Sequence, residues 1–184
     1  MLFRSKTTGG LAYGYFFTNE WRGSLSYNTG YRVPTFNDLY YPTQRNTYLT
    51  HEYSRNIEAG LNYDTKNWNN HLSVYQNKIS NFIEPNVSNP ANPCNAAGVC
   101  MPINLGMVQI RGISGGSTTF VGPFMLKATA DYLHAIDMNT DLYIPRRANI
   151  TSNLAAEYRS GKIVIGTNYT FTGKSFDKIG RAHV

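Results

Sequence analysis

Few residues in this chain of 184 are of types that could carry bond chemistry, and their spacing suits it poorly. Cys94 and Cys100 sit in the Pro- and Asn-rich run from Asn89 to Cys100. A metal would need two more ligands, and no His lies nearby, so no metal site is assigned. If that loop faces an oxidising compartment, a local disulfide between Cys94 and Cys100, tying down a loop tip, is the expected state. His51, His71 and His134 are isolated from one another and read as loop or strand-surface residues. Ser73 and His71, two positions apart, share one face of a strand, but no acid is evident to orient the imidazole as nucleophilic catalysis requires. Nucleophile elbow, phosphate-binding loop and His-Glu-x-x-His helix are all missing. Neither an enzyme nor a cofactor is expected.

The elements that must hold these residues are strands. The chain is 41% apolar, enough to fold, with 14 Tyr, 9 Phe, 2 Trp and 16 Gly but only 15% charged residues. That balance favours strands over the Leu-, Ala-, Glu- and Lys-rich composition of long helices. No window approaches the 18 consecutive apolar residues of a transmembrane helix, and nothing near the start is laid out as a signal peptide. The formal charge is +6. Lys and Arg are scattered singly apart from Arg146 and Arg147, so there is no basic stripe and no nucleic-acid partner is expected.

Both ends read as sequence of non-protein origin. Ile179, Gly180, Arg181, Ala182, His183 and Val184 match one frame of a common sequencing adapter. Met1, Leu2, Phe3, Arg4 and Ser5 match its reverse complement, with GTG as the start codon. Residues 1–5 and 179–184 are therefore expected to be adapter-derived, leaving 6–178 as an internal piece of a longer gene.

Within that piece, apolar and polar residues alternate in segments of about ten, the signature of strands whose two faces meet different surroundings. Trp21, Gly23, Leu25 and Tyr27 oppose Arg22, Ser24, Ser26 and Asn28; Ile57, Ala59, Leu61 and Tyr63 oppose Asn56, Glu58, Gly60 and Asn62. Leu126, Ala128, Ala130 and Tyr132 oppose Lys127, Thr129 and Asp131. Ile150, Ser152, Leu154, Ala156 and Tyr158 oppose Asn149, Thr151, Asn153 and Glu157, and Ile163, Ile165, Thr167, Tyr169 and Phe171 oppose Lys162, Val164, Gly166, Asn168 and Thr170. Strands are predicted near 6–17, 21–33, 52–63, 70–82, 104–119, 124–136, 146–159 and 162–173. Short turns alternate with long loops at 34–51, 83–103 and 137–145, as in an up-and-down meander with unequal ends.

Alternation alone fits either a soluble sandwich, apolar face inward, or an outer-membrane barrel, apolar face to lipid and polar face to the lumen. Strand length, loop asymmetry and aromatics near strand ends favour the barrel. Phe16, Phe17, Trp21, Trp68, Phe120 and Phe124 would form one interfacial girdle, and Tyr31, Tyr143, Tyr169 and Phe171 the other. The fold class expected is all-β: an antiparallel up-and-down transmembrane β-barrel fragment, an open curved sheet of about eight strands from a larger barrel. Its lumen-facing row would be Arg22, Asn28, Glu58, Asn62, Lys127, Asp131, Asn149, Asn153, Glu157 and Asn168. An eight-stranded closed barrel is the alternative.

Specific runs carry a resemblance. Tyr31-Arg32-Val33-Pro34-Thr35-Phe36-Asn37-Asp38-Leu39-Tyr40-Tyr41 resembles the strand-to-loop passage of TonB-dependent outer-membrane receptors, in particular the vitamin B12 (cobalamin) receptor branch. Glu52-Tyr53-Ser54-Arg55-Asn56-Ile57-Glu58-Ala59-Gly60-Leu61 and Val74-Tyr75-Gln76-Asn77-Lys78-Ile79-Ser80-Asn81-Phe82-Ile83 look like the strands that follow. Asn104-Leu105-Gly106 with Ile110-Arg111-Gly112, then Pro145-Arg146-Arg147-Ala148, continue in the family's order, so the likeness spans essentially all of 6–178. One departure stands out. The family's Asn-Pro-x-Leu-x-Pro-Glu stretch is here Asn46-Thr47-Tyr48-Leu49-Thr50-His51-Glu52, without either proline; the strand assignment is unaffected, and the departure falls on the conformation of this outer loop and hence on the choice of ligand.

The resemblance implies a barrel of about 22 strands filled by an N-terminal plug domain, set in outer-membrane lipid. It further implies a TonB complex acting through that plug, absent from this piece, and import of a scarce ligand such as cobalamin or a ferric siderophore. A passive porin or small structural barrel is the alternative. Binding residues sit disproportionately on loops; Asn37, Asp38, Tyr40, Tyr41, Gln44, Arg45 and Tyr48 combine aromatic area with hydrogen-bonding groups and are the ligand-binding candidates. Tyr40 and Tyr41 equally fit the outer girdle.

Overall fold

The structure is a computed structural model that describes residues 6–42, 45–84, 100–178 and 181–183. Eight strands form one antiparallel sheet, each paired with its neighbours in sequence: β1 (Gly10–Phe16), β2 (Trp21–Arg32), β3 (Glu52–Asp64), β4 (Trp68–Glu84), β5 (Ile103–Val121), β6 (Phe124–Asp137), β7 (Ile150–Ser160) and β8 (Ile163–Thr172). β1 and β8 are free edges, so the sheet stays open. A helix, α1 (Phe36–Tyr40), lies between β2 and β3, and a two-stranded ribbon of β9 (Ser175–Lys178) and β10 (Arg181–His183) follows β8.

The alternating segments become strands where they were expected, with differences at the ends. β4 and β5 pair out to Glu84 opposite Ile103, longer than the alternation suggests. β7 starts at Ile150 instead of Arg146, because Arg146 takes a left-handed φ of 60° that no extended strand accommodates. The tight turns after β5 and β7 place Gly122 and Gly161 at φ 57° and 55°, where a side chain would be strained. The ribbon and α1 lie outside the predicted strands.

Register decides which residues share a face. Leu25, Ala59, Val74, Ile113, Tyr132 and Ile150 lie opposite one another across six strands, and Trp21, Tyr63, Asn70, Ser117, Ala128, Leu154 and Tyr169 form a parallel row nearer the short turns. The apolar face is the open one: Ile57, Leu72, Ile113 and Leu154 are 49%, 50%, 49% and 53% exposed. The polar face is more sheltered on β3 and β7, while Arg22 and Asn28 on β2, Lys127 on β6 and Asn168 on β8 are exposed. On β3 the polar-face residues Ser54, Asn56, Glu58, Gly60 and Asn62 are all half-buried, as are Thr151, Asn153 and Glu157 on β7. Leaving one large aliphatic side chain in water forfeits about 1.5–3 kcal/mol. A whole face of them calls for an apolar cover, as hydrocarbon gives in the inside-out arrangement of a transmembrane barrel wall.

The girdle needs correction. Register puts Phe16 opposite Arg22 and Phe120 opposite Met125 and Glu157 in turn, on the polar face, and the Arg22 guanidinium lies over the Phe16 ring at 5.9 Å. Tyr63, 4.7 Å from Trp21, and Tyr158, 5.0 Å from Phe124, take their places on the apolar face. Counting aromatics near strand ends ignores parity, and parity chooses the face.

At the long-loop end the wall changes character. Ile79, Phe82, Val108, Ala135 and Ile144 form a buried cluster with Leu105 and Ile110 packed against it. Ile144 arrives from the loop after β6, held by Ile144 N donating to the Ala135 carbonyl at 3.0 Å. Past the bilayer both faces meet water, so strand ends and folded-over loop must bury apolar groups between themselves.

Candidate functional site

The loop from Val33 to His51 is built onto this mouth. Thr35 caps α1: its hydroxyl accepts from Asp38 N at 3.2 Å, and the Asp38 carboxylate accepts from Thr35 N at 2.8 Å, a reciprocal capping box. The same carboxylate lies 3.8 Å from Arg32, whose Nη1 donates to Glu52 at 2.9 Å. Buried Glu52 also accepts from Ile83 N at 2.7 Å. Asp38, Arg32 and Glu52 thus tie α1 to β2, β3 and β4 in one chain of charge-assisted bonds.

A second set of ties comes from Asn104 at the start of β5. Its side-chain oxygen accepts from Thr50 N at 2.8 Å, and its amide donates to the carbonyls of Thr50 at 3.0 Å and Asn81 at 2.7 Å. Asn46 donates to the Pro102 carbonyl at 2.8 Å. The loop is therefore fixed at both ends, and Tyr41, Pro42, Arg45, Thr47 and Tyr48 between them are exposed.

Of the ligand-binding candidates, Asn37 and Arg45 are exposed, Tyr40 and Tyr41 are about half exposed, and Tyr48 is 91% exposed. Tyr40 stacks against Phe36 with ring centroids 5.0 Å apart. Asp38 is half-buried and occupied by the cap and Arg32. Gln44 lies outside the described residues. The arrangement offers aromatic faces and amide or guanidinium donors on a braced loop.

Sequence reasoning missed Glu52, Glu84 and Asn104. Glu84 is 5% exposed at the far end of β4, well outside the bilayer-spanning stretch, and burial pushes its carboxyl up to about 7. Arg147 and Arg146 pull it down and Glu52 pushes it further up. The signal for α1 was present: Thr35-x-x-Asp38 directly after a proline is a helix-start pattern.

The ten polar-row residues fall on one face. Arg22, Asn62, His71, Gly116, Thr129, Asn153 and Thr170 are opposite one another in register, and Asn28, Glu58, Lys127, Asp131, Glu157 and Asn168 stand an even number of residues from members of that row. Asn149 precedes β7 and its carbonyl accepts from Leu133 N at 2.8 Å. Asp131 accepts from Ser114 on this face. Cys100 is buried and disulfide-bonded, and Cys94 lies outside the described residues. Among the described residues, no cluster of His, Cys, Asp and Glu could hold a metal, and no helix is long and apolar enough to cross a membrane.

A family model described as "TonB dependent receptor-like, beta-barrel" matches residues 3–181. This chain belongs to the TonB-dependent receptor-like β-barrel family. Such receptors are outer-membrane β-barrel proteins of Gram-negative bacteria, transporters and receptors in place of enzymes. The chain is 29% identical over 175 residues to a vitamin B12 transporter, BtuB, of Photobacterium profundum, covering 94% of this chain and 28% of that protein. It is 26% identical over 156 residues to the BtuB of Vibrio vulnificus, covering 85% of this chain and 24% of that protein. Among solved TonB-dependent receptor folds it is similar to the copper transporter OprC, with a TM-score of 0.77 at 16% identity over 91% of this chain and 27% of that one. It is also similar to a substituted ferric enterobactin receptor, PfeA, of Pseudomonas aeruginosa, with a TM-score of 0.72 at 16% identity over 91% and 28%. The chain thus spans about a quarter of the length of the relatives it matches.

Proposed function

We propose that this chain is the later-middle wall of an outer-membrane importer that captures a scarce ligand at its outer loops and passes it inward by energised gating. One observation carries the reading: large apolar side chains stand open on one face while the polar face of β3 and β7 is half-buried, which suits a wall between acyl chains and an enclosed aqueous path. The polar row from Arg22 to Asn168 would line that path or contact a plug domain supplied by the rest of the protein. A TonB complex would act through that plug. Asn37, Asp38, Tyr40, Tyr41, Gln44, Arg45 and Tyr48 would face the ligand, and a Cys94–Cys100 disulfide would tie the loop tip between β4 and β5.

Cobalamin is the ligand favoured, because the sequence likeness is to vitamin B12 transporters. The structural likeness to a ferric enterobactin receptor supports a siderophore as the second reading. Titration calorimetry on the complete receptor with cobalamin and with a ferric catecholate siderophore separates them. Heat from cobalamin alone is expected; heat from the siderophore alone would end the vitamin assignment. A passive porin remains the reading from another class, and it would extend upstream into further strands instead of a globular plug.

A further inference from the structure

Basic side chains cluster on the membrane-facing side of this wall, where the polar path has no use for them. In register, Ile57, Gln76, Arg111 and His134 lie opposite one another, and the next row outward holds Thr29, Arg55, Lys78, Gln109 and Ile136. Both rows share parity with Ala59, Val74, Ile113 and Tyr132, so Arg55, Lys78 and Arg111 project from the apolar face, and all three are exposed. Glu52, Glu58 and Asp131, acids of β3 and β6, are on the opposite face, as is Asp137 where β6 ends. Among the described residues no ion pair includes Arg55, Lys78 or Arg111.

Height places the cluster. A strand tilted by about 40° climbs roughly 2.5 Å per residue, so the nine or ten residues from the short turn up to Arg111 and His134 amount to about 25 Å, the thickness of the apolar band. The basic rows therefore stand at the far edge of the hydrocarbon, at headgroup level. Below them a groove of about 560 Å³ is floored by Ile57, Ala59, Val74 and Ile113 and rimmed by Arg111 and His134. Arg111 is held ready: its Nε donates to Gln76 Oε1 at 2.9 Å, and Gln109 donates to the same oxygen at 3.3 Å. Lys6 and Arg55 both lie over the Tyr53 ring, at 5.0 and 5.6 Å.

We propose that Arg55, Lys78 and Arg111, above the groove floored by Ile57, Ala59, Val74 and Ile113, form a docking site for a phosphorylated lipid of the outer leaflet. An acyl chain fills the groove, and the headgroup phosphates meet guanidinium and ammonium donors that lack an acidic partner. This rests on the membrane orientation proposed above and adds an occupant for the outside of the wall. Such a site would anchor the strands under the ligand-capturing loops to the surrounding lipid.

The test uses the complete receptor, reconstituted in phosphatidylcholine vesicles containing diphosphoryl lipid A or its dephosphorylated counterpart, with co-purifying lipid counted by native mass spectrometry. Retention of the diphosphoryl form is expected to exceed that of the dephosphorylated form by about tenfold or more. The combined R55Q, K78Q and R111Q variant should abolish that preference, while K66Q and K162Q, near the short turns, should keep it. Inorganic phosphate at millimolar concentration should not displace the lipid, since the groove supplies part of the grip. Equal retention of both lipids, or an undiminished preference in the triple variant with its strand content intact, would overturn the proposal. Failure of the wild-type receptor to enter vesicles at all would instead overturn the membrane orientation.

Discussion

Asn104 ties the outer loop to the end of β4. A single side chain bonds two segments, Thr50 of the loop and Asn81 of β4, and its loss leaves two carbonyls and an amide to find water. Asn104→Ala should lower the loop's local stability by about 1–3 kcal/mol. Limited proteolysis of the complete receptor would read this as faster cleavage within residues 42–50, with overall unfolding nearly unchanged. Cleavage at the wild-type rate would mean that Asn46 and the Arg32–Glu52 pair suffice to hold the loop. Nothing in the sequence around Asn104 announces this role, because its partners are 23 and 54 residues away. Asp38, by contrast, has its cap written locally as Thr35-x-x-Asp38, which removes part of its capacity to meet a ligand.

At the scale of elements, the end of β4 and the loop after β6 share the mouth cluster, and Glu84 makes its stability depend on pH. Its folded pKa of about 7 lies above the ordinary carboxylate value, so the folded state holds the proton more tightly than the unfolded one. The protonated form is accommodated below the unfolded pKa, and stability falls as pH rises from there through about 7, with no further change above. Arg146, Arg147 and Glu52 face the same group and set how steep the fall is. Hydrogen-exchange protection factors within residues 138–149, with the intrinsic pH dependence of exchange divided out, are expected to fall between pH 5 and pH 8, and Glu84→Gln should remove most of that fall. A Gln variant with the wild-type pH response would assign it to another group. The strands that carry this cluster were legible in outline, with β6 marked by alternation; the cluster itself was not, since Ile144 reaches it from a loop with no periodic pattern.

At the scale of the molecule, the open sheet has two unpaired edges, each a row of unsatisfied backbone groups that a bilayer cannot solvate. Expressed alone and mixed with liposomes, residues 6–178 should give no ligand-selective flux; a saturable flux specific to cobalamin would show that these strands can seal a pore unaided. What the sequence alone determined was the wall: alternation in five of the eight predicted strands, and the alternation of short turns with long loops, point to antiparallel strands with two unlike faces. It also determined which residues share a face, because a period of two leaves only parity to choose. Only the tertiary structure decided which face is sheltered, because curvature is a property of the whole sheet and not of any strand. The same holds for Asn104 and Glu52 bracing a distant loop, and for Arg55, Lys78 and Arg111 standing together. These depend on cross-strand register between segments tens of residues apart, and chain spacing does not encode that register.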